Sequence, residues 1–214
     1  MSKLLIIGDS HLVMSTSYYM MAGLREQIPK YELFAVSGST FLDWNLNQLK
    51  KLNINWQYKN ESTQKTQFGQ SQWTGFKDID LADDKFLVLE FGSNEMIAMS
   101  KLQTDERQQY LNSYKEIVED FLRHHYLKKV IWILPIQIRD EMISIQLQNE
   151  FRHLIFDFVK RYDQFVVIDS WQCVDKNQNP ILANHQDLVH VTRPLSEQWG
   201  QFLAKKIEQS LFRN

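Results

Sequence analysis

The chain has 214 residues, 43% hydrophobic and 23% charged, a balance typical of one ordinary globular domain. A formal net charge of −2 at pH 7 provides no general attraction to nucleic acid or anionic membranes, so we expect neither as a partner. The single cysteine excludes an internal disulfide framework and any multi-cysteine metal site. The first aliphatic run is too short for a secretory signal and no stretch is long enough to span a membrane, so we expect a cytoplasmic protein.

Short apolar runs of strand length recur along the chain. Each is nearly continuous and rich in β-branched or aromatic residues, which is typical of strands buried on both faces. Longer segments with apolar residues every three or four positions lie between them and predict helices. Strands that alternate with helices indicate a parallel sheet covered on both faces, so we expect a three-layer α/β/α sandwich. The five predicted strands are residues 4–7, 33–36, 86–91, 130–134 and 165–168.

One region breaks this alternation. Residues at about 53–84 are rich in Gln, Asn, Lys, Ser and Thr, with aromatic residues spaced through them. A segment of this length between a strand and the next is usually functional or disordered, and the aromatic residues argue against pure disorder. We expect a single domain over residues 1–214 with a polar insertion or lid at 53–84.

Small polar residues follow the predicted strands, where ligands bind in open α/β sheets. Ser10 follows the first strand, Gly38 the second and Asn94 the third, while Asp187 and His190 precede the last helix. A serine becomes nucleophilic when a histidine accepts its proton and a carboxylate orients the imidazole. Backbone N–H groups and an amide can stabilise the oxyanion that forms. Each cluster, taken alone, is also typical of a turn followed by a helix cap. The occurrence of all of them in this order after successive strands favours a catalytic site.

These blocks resemble those of the SGNH hydrolase superfamily, also called GDSL-type esterases and lipases. The resemblance extends from Gly8 to His190, through "GDS" at 8–10, Gly38, "GSNE" at 92–95 and "DLVH" at 187–190. It implies a five-stranded parallel sheet of flavodoxin-like order 2-1-3-4-5. It also implies Ser10 as nucleophile, His190 as base and Asp187 as the residue that orients the histidine. The oxyanion hole would comprise the N–H groups of Ser10 and Gly38 and the amide of Asn94.

The sequence departs from the usual pattern at several positions. His11 stands where Leu or Ile is usual after Gly-Asp-Ser, and Glu95 where Asp is usual after Asn94. We expect His11, Glu95 and Trp44 to contact substrate. His11 alternatively points away from the pocket, and Trp44 alternatively packs in the core. No set of histidines and carboxylates has convincing metal-ligand spacing, so we expect no metal and no cofactor.

The predicted activity is hydrolysis of a small ester, with an acetyl group on a carbohydrate or similar polar molecule as the favoured substrate. The polar segment at 53–84 and its tryptophans motivate that choice. Two alternatives stay open. One is an O-acyltransferase that uses the same triad, with an acceptor hydroxyl in place of water. The other is a catalytically silent binding module, against which Ser10, Asn94, Asp187 and His190 together argue.

Overall fold

The computed structural model describes residues 4–13, 15–24, 28, 30–49, 52, 55–60, 65–70, 73–81, 85–125, 127–183 and 189–212. Within them the strands are β1 (Leu4–Gly8), β2 (Tyr31–Val36), β3 (Asn55–Asn60), β4 (Lys65–Gln70), β5 (Phe86–Glu90), β6 (Lys129–Leu134) and β7 (Phe165–Asp169). The helices are α1 (Ser10–Val13), α2 (Ser15–Leu24), α3 (Phe41–Asn45), α4 (Ser93–Ser100), α5 (Thr104–His124), α6 (Ile145–Val159) and α7 (Arg193–Phe212).

The strands form one mixed sheet in the order β4-β3-β2-β1-β5-β6-β7. The five strands from β2 to β7 in this order are parallel, which confirms the predicted order 2-1-3-4-5. Gly8 pairs with Ala35 of β2 on one side and with Glu90 of β5 on the other. The carboxyl ends of β2, β1 and β5 therefore lie at the same level of the sheet.

The polar segment predicted at 53–84 contributes two strands that the sequence analysis did not predict. Strands β3 and β4 pair antiparallel with each other, and β3 pairs antiparallel with β2 at the edge of the sheet. In β3, aromatic residues alternate with polar ones, which is the period of a strand with one apolar face. The overall polarity of the segment hid this alternation. Its role as a lid, and the single-domain assignment, stay predictions.

Two apolar layers hold the helices on the sheet. Because side chains alternate along a strand, Leu5 and Ile7 of β1 face one layer and Leu4 and Ile6 face the other. The first layer packs α3, α4, α5 and α6 against the sheet, and the second packs α2 and α7. The apolar stripes predicted on α5, α6 and α7 are confirmed as the core-facing sides of these helices. None of the described helices has the length and apolar character needed to cross a bilayer.

Gly92 connects β5 to α4 through a conformation that other residues rarely adopt. Its φ is +144°, and a Cβ atom there would lie 2.8 Å from Phe151 Cε1 and 2.8 Å from Pro135 Cδ. Both neighbours are ring atoms that cannot easily move aside. This glycine therefore allows the close approach of the β5–α4 turn to α6 and the segment after β6.

We expect Gly92→Ala to lower the free energy of unfolding by about 1–3 kcal/mol, because it adds backbone strain and a steric clash. Urea denaturation followed by circular dichroism measures the change. Ser100→Ala, at the exposed end of the same helix, is the matched control and leaves the stability nearly unchanged. Equal stability of the two variants would contradict the strain assigned to Gly92.

Candidate active site

The loops after β1, β2 and β5 meet at the carboxyl edge of the sheet. Ser10 is the first residue of α1, directly after the first of these strands, and its side chain is half-buried. His190 is also half-buried and lies shortly before α7. The Ser10 hydroxyl oxygen lies 2.7 Å from Nε2 of His190, although the two residues are 180 positions apart. This is a hydrogen-bond distance, as proton transfer from a serine to an imidazole requires.

Asp187, the predicted third member of the triad, lies outside the described residues. Its role therefore stays a prediction from the sequence. The described chain resumes at Val189, whose side chain is buried in the core beside the sheet. This burial holds the backbone next to His190 against the body of the protein.

Gly38 lies in a tight turn after β2. Its φ is +71°, in the left-handed region that favours glycine, and the residue is exposed. The next residue is held firmly: both the N–H and the hydroxyl group of Ser39 donate hydrogen bonds to the carbonyl oxygen of Val36, at 3.2 and 2.7 Å. The Trp44 indole N–H donates to the Ser39 hydroxyl oxygen at 3.1 Å. The turn that presents Gly38 is therefore preorganised.

The Asn94 side chain joins the loops on either side of it. Its Nδ2 group donates to Asp9 Oδ2 at 2.9 Å and to the carbonyl oxygen of Ser39 at 3.0 Å. An amide nitrogen carries two hydrogens, so both are engaged in this structure. An oxyanion would have to share or replace one of these contacts to receive a hydrogen bond from Asn94.

All three predicted substrate contacts require correction, and the first two are Trp44 and Glu95. Trp44 is fully buried and packs on Phe76, so its ring is not available to stack on a sugar. Glu95 is also fully buried, and its Oε1 accepts hydrogen bonds from the Phe41 N–H at 2.7 Å and the Tyr114 hydroxyl at 3.3 Å. The core interpretation therefore holds for Trp44. Glu95 braces the start of α3 against α4 and α5.

His11 is buried too, but it lies directly behind the candidate base. Its ring centroid is 4.8 Å from that of His190 and 5.2 Å from that of Trp199. Its Nε2 lies 2.9 Å from the hydroxyl oxygen of the buried Ser93. A side chain that is 1% exposed does not form the pocket surface. The predicted substrate contact is therefore corrected, and His11 instead backs the His190 ring.

The sequence analysis did not single out two buried carboxyl groups beneath Ser10. Asp9 accepts a hydrogen bond from the His11 N–H at 2.9 Å, in addition to the one from Asn94. Glu90 ends β5 and is fully buried. A signal for Glu90 was present, because it is the one charged residue in the apolar run "FLVLEF" at 86–91. A charge at such a position is rarely buried without a partner.

Burial also perturbs the acidity of these groups. It raises the pKa of Asp9 to about 6, although hydrogen bonds that the carboxylate accepts oppose the rise. Burial and the neighbouring Asp9 carboxyl raise the pKa of Glu90 well above its usual range. Burial raises the pKa of Glu95 to about 8. Perturbed carboxyl groups that cluster beneath a histidine and a serine are typical of functional sites.

No protein-family model matches the sequence, and no curated protein matches it. Solved structures do. A catalytic mutant of an acetylxylan esterase from Geobacillus stearothermophilus superposes with a TM-score of 0.61 at 13% identity, over 100% of this chain and 95% of that one. An Agrobacterium tumefaciens protein described as a putative arylesterase gives 0.57 at 12% identity, over 98% and 99%.

A third similar structure is a carbohydrate esterase family 2 enzyme with a carbohydrate-binding domain, from Corynascus thermopiles (Myceliophthora fergusii). Its TM-score is 0.56 at 14% identity, over 98% of this chain and 66% of that one. The structural neighbours include SGNH-type hydrolases, and the chain has their three-layer fold. The resemblance inferred from the sequence blocks is thus confirmed at the level of the fold.

The raised pKa of Glu95 predicts how stability depends on pH. The folded state holds this proton up to about pH 8, whereas the unfolded chain releases it near its ordinary value of 4.5. The folded state thus binds more protons between these values, and the free energy of unfolding falls as pH rises through that window. We expect Glu95→Gln to make this decline shallower by an amount on the order of a few kcal/mol.

Urea denaturation at a series of pH values from 5 to 8 measures the decline. The glutamine keeps an oxygen for the Phe41 N–H, so the variant is expected to fold. Glu116→Gln, at an exposed position of α5, is the matched control and keeps the wild-type slope. An unchanged slope in Glu95→Gln would contradict the burial argument.

Proposed function

We propose that this protein is a serine ester hydrolase that removes a small acyl group, in the first place acetyl, from a carbohydrate or another small polar ester. The 2.7 Å contact between the Ser10 hydroxyl and Nε2 of His190 carries the proposal. It lies at the carboxyl edge of a parallel sheet, where α/β proteins bind ligands. The contact also argues against a silent binding module, because nucleophile and base are already in hydrogen-bond geometry.

In the proposed reaction, Ser10 Oγ forms a bond to the ester carbonyl carbon while its proton moves to Nε2 of His190. The tetrahedral intermediate then collapses, the ester C–O bond breaks, and His190 returns the proton to the departing alcohol oxygen. Water attacks the acyl-serine in the same way, releases the carboxylic acid and restores Ser10. Asp187 is assigned, from the sequence pattern, the task of orienting the imidazole.

The oxyanion is proposed to lie between the N–H groups of Ser10 and Gly38 and the Asn94 amide. The rigid turn that presents Gly38 supports this arrangement, because preorganised donors stabilise developing charge without rearrangement. Asn94 takes part by turning one amide hydrogen from Ser39 or Asp9 towards the oxyanion. It keeps the other contact and so remains anchored.

Two observations support a small acetylated carbohydrate as the substrate class. Two of the structural neighbours are described as an acetylxylan esterase and a carbohydrate esterase. In addition, Met20, Met21, Met96 and Met99 are buried in the core and do not offer an apolar lining for a long acyl chain. With no such lining among these methionines, a short acyl group is favoured.

We expect Ser10→Ala to lower kcat for p-nitrophenyl acetate by at least about 10⁴-fold, because the nucleophile is removed. Release of p-nitrophenol measures the rate, and circular dichroism checks that the variant is folded. Ser100→Ala, on an exposed turn of α4, is the matched control and keeps the wild-type rate. A Ser10→Ala variant as active as wild type would overturn the nucleophile assignment.

The acyl preference is tested with p-nitrophenyl esters from acetyl to octanoyl, together with peracetylated xylose. We expect kcat/KM to be highest for acetyl and to fall at least tenfold by octanoyl, because the buried Met20, Met21, Met96 and Met99 offer no lining to longer chains. Acetate release from the xylose derivative tests the carbohydrate assignment. If kcat/KM is highest for octanoyl and Ser10→Ala is inactive, the hydrolase assignment stands and the assignment of a small acyl group is wrong.

A further inference from the structure

Three buried side chains lie beneath Ser10 and have no step in the proposed reaction. Asp9, His11 and Glu90 are each at most 1% exposed. Each presents a nitrogen or carboxylate oxygen, and these atoms lie within 4.8 Å of one another. Two carboxyl groups at this separation cannot both be ionised without strong repulsion, so they hold a shared proton or a cation between them.

The hydrogen bonds of the cluster favour the proton. Both oxygens of Asp9 accept N–H groups, from the His11 backbone and from Asn94, and Nε2 of His11 is engaged with Ser93. A divalent cation bound to these oxygens and this nitrogen would compete with these contacts. A proton needs only a contact between the Asp9 and Glu90 carboxyl groups, whose oxygens lie within 4.8 Å of each other.

The same contacts identify which carboxyl carries the proton. Asp9 accepts two N–H donors, which stabilise its ionised form. Among the described residues neither Glu90 oxygen has a hydrogen-bond partner of ordinary geometry, although the Asp9 backbone N–H faces this carboxyl group and opposes the rise of its pKa. As a carboxylate, Glu90 would be a buried and unsolvated charge. As an acid, it donates its O–H to Asp9 and is satisfied.

We infer that Glu90 is a positioning residue: its protonated carboxyl group donates a hydrogen bond to Asp9, and the resulting acid–carboxylate pair holds the Asn94 amide and the first turn of α1 in the geometry that the proposed oxyanion hole needs. The inference rests on the proposed function for its catalytic consequence. The link is short, because Asp9 Oδ2 is bonded to the Asn94 amide and Asp9 Oδ1 to the residue after Ser10.

Loss of the shared proton would leave two adjacent carboxylates and push Asp9 away from Asn94. Burial and Asp9 raise the pKa of Glu90, so the pair loses its proton at a higher pH than an ordinary glutamic acid does. Among the described residues, the other titratable groups that face the pair include His11 from α1, Glu95 from α4 and His190 before α7. Glu95 is itself in contact with the Tyr114 hydroxyl of α5.

Two substitutions distinguish a positioning role of Glu90 from a role in packing alone. Glu90→Gln keeps the shape and a donor towards Asp9 but cannot lose a proton near neutral pH. Glu90→Ala removes the donor. We expect Glu90→Gln to keep kcat for p-nitrophenyl acetate within about threefold of wild type at pH 7. We expect Glu90→Ala to lower kcat by about 10²-fold with little change in KM, because a misplaced donor acts on the transition state.

The pH profile is the decisive readout. Wild-type kcat should decline as rising pH removes the proton from the pair, and the decline should be absent or displaced upwards in Glu90→Gln. Glu116→Gln, on the exposed face of α5, is the matched control with the wild-type profile. If Glu90→Gln and wild type decline together, or if Glu90→Gln loses as much kcat as Glu90→Ala, the inference is overturned.

A spectroscopic test is independent of activity. Infrared difference spectra between Glu95→Gln and the double variant Glu90→Gln/Glu95→Gln should contain the carbonyl band of one protonated carboxylic acid at pH 8. Absence of this band would overturn the shared proton, even if wild type proves to be an active esterase. Its presence in a protein without esterase activity would reject the proposed function alone.

A metal analysis tests the alternative that a divalent cation, rather than a proton, lies among these three side chains. We expect the purified protein to contain no stoichiometric divalent metal, and Zn²⁺ titration to leave the thermal unfolding temperature unchanged. Stoichiometric Zn²⁺ that Glu90→Gln fails to bind would overturn the inference in favour of a cation at Asp9, His11 and Glu90.

Discussion

The level alignment of three parallel strands is the constraint on which the site depends. Gly8 stands opposite both Ala35 and Glu90, so the chain leaves β1, β2 and β5 at the same height of the sheet. A single amide, Asn94, is then long enough to reach Asp9 in one loop and Ser39 in the other. A register shift of β1 or β2 would move its loop by about 3.3 Å and break the hydrogen bond that joins that loop to Asn94.

Much of the polar framework of the site is buried, and the burial of carboxyl groups lowers the stability of the folded protein. Asp9, Glu90 and Glu95 lie in the interior, and burial raises the pKa of each. Apolar residues of similar volume would be less costly to bury. Each of the two carboxyls that accept N–H groups instead holds one loop in place, Asp9 through α1 and Asn94, and Glu95 through the first residue of α3. Stability at neutral pH is thus reduced in exchange for fixed loop geometry.

Local patterns explain which parts of the fold were predictable. Continuous apolar runs mark strands that are buried on both faces, so the five parallel strands were visible in the sequence. Strands β3 and β4 were not predicted, because their many polar residues give them the composition of a loop. Trp44 and Glu95 were misassigned for a related reason. Proximity to a functional block in sequence does not reveal whether a side chain points to the pocket or to the core.

The sequence by itself determined the layered α/β fold, the strand ends at which Ser10, Gly38 and Asn94 occur, and the candidate base at His190. These follow from residue type and spacing, which act locally. Only the tertiary structure decided that Ser10 Oγ and His190 Nε2 are 2.7 Å apart, and that Asp9 and Glu90 form a buried pair. Such contacts join residues 180 and 81 positions apart, and they depend on strand register and helix packing, which no local pattern specifies.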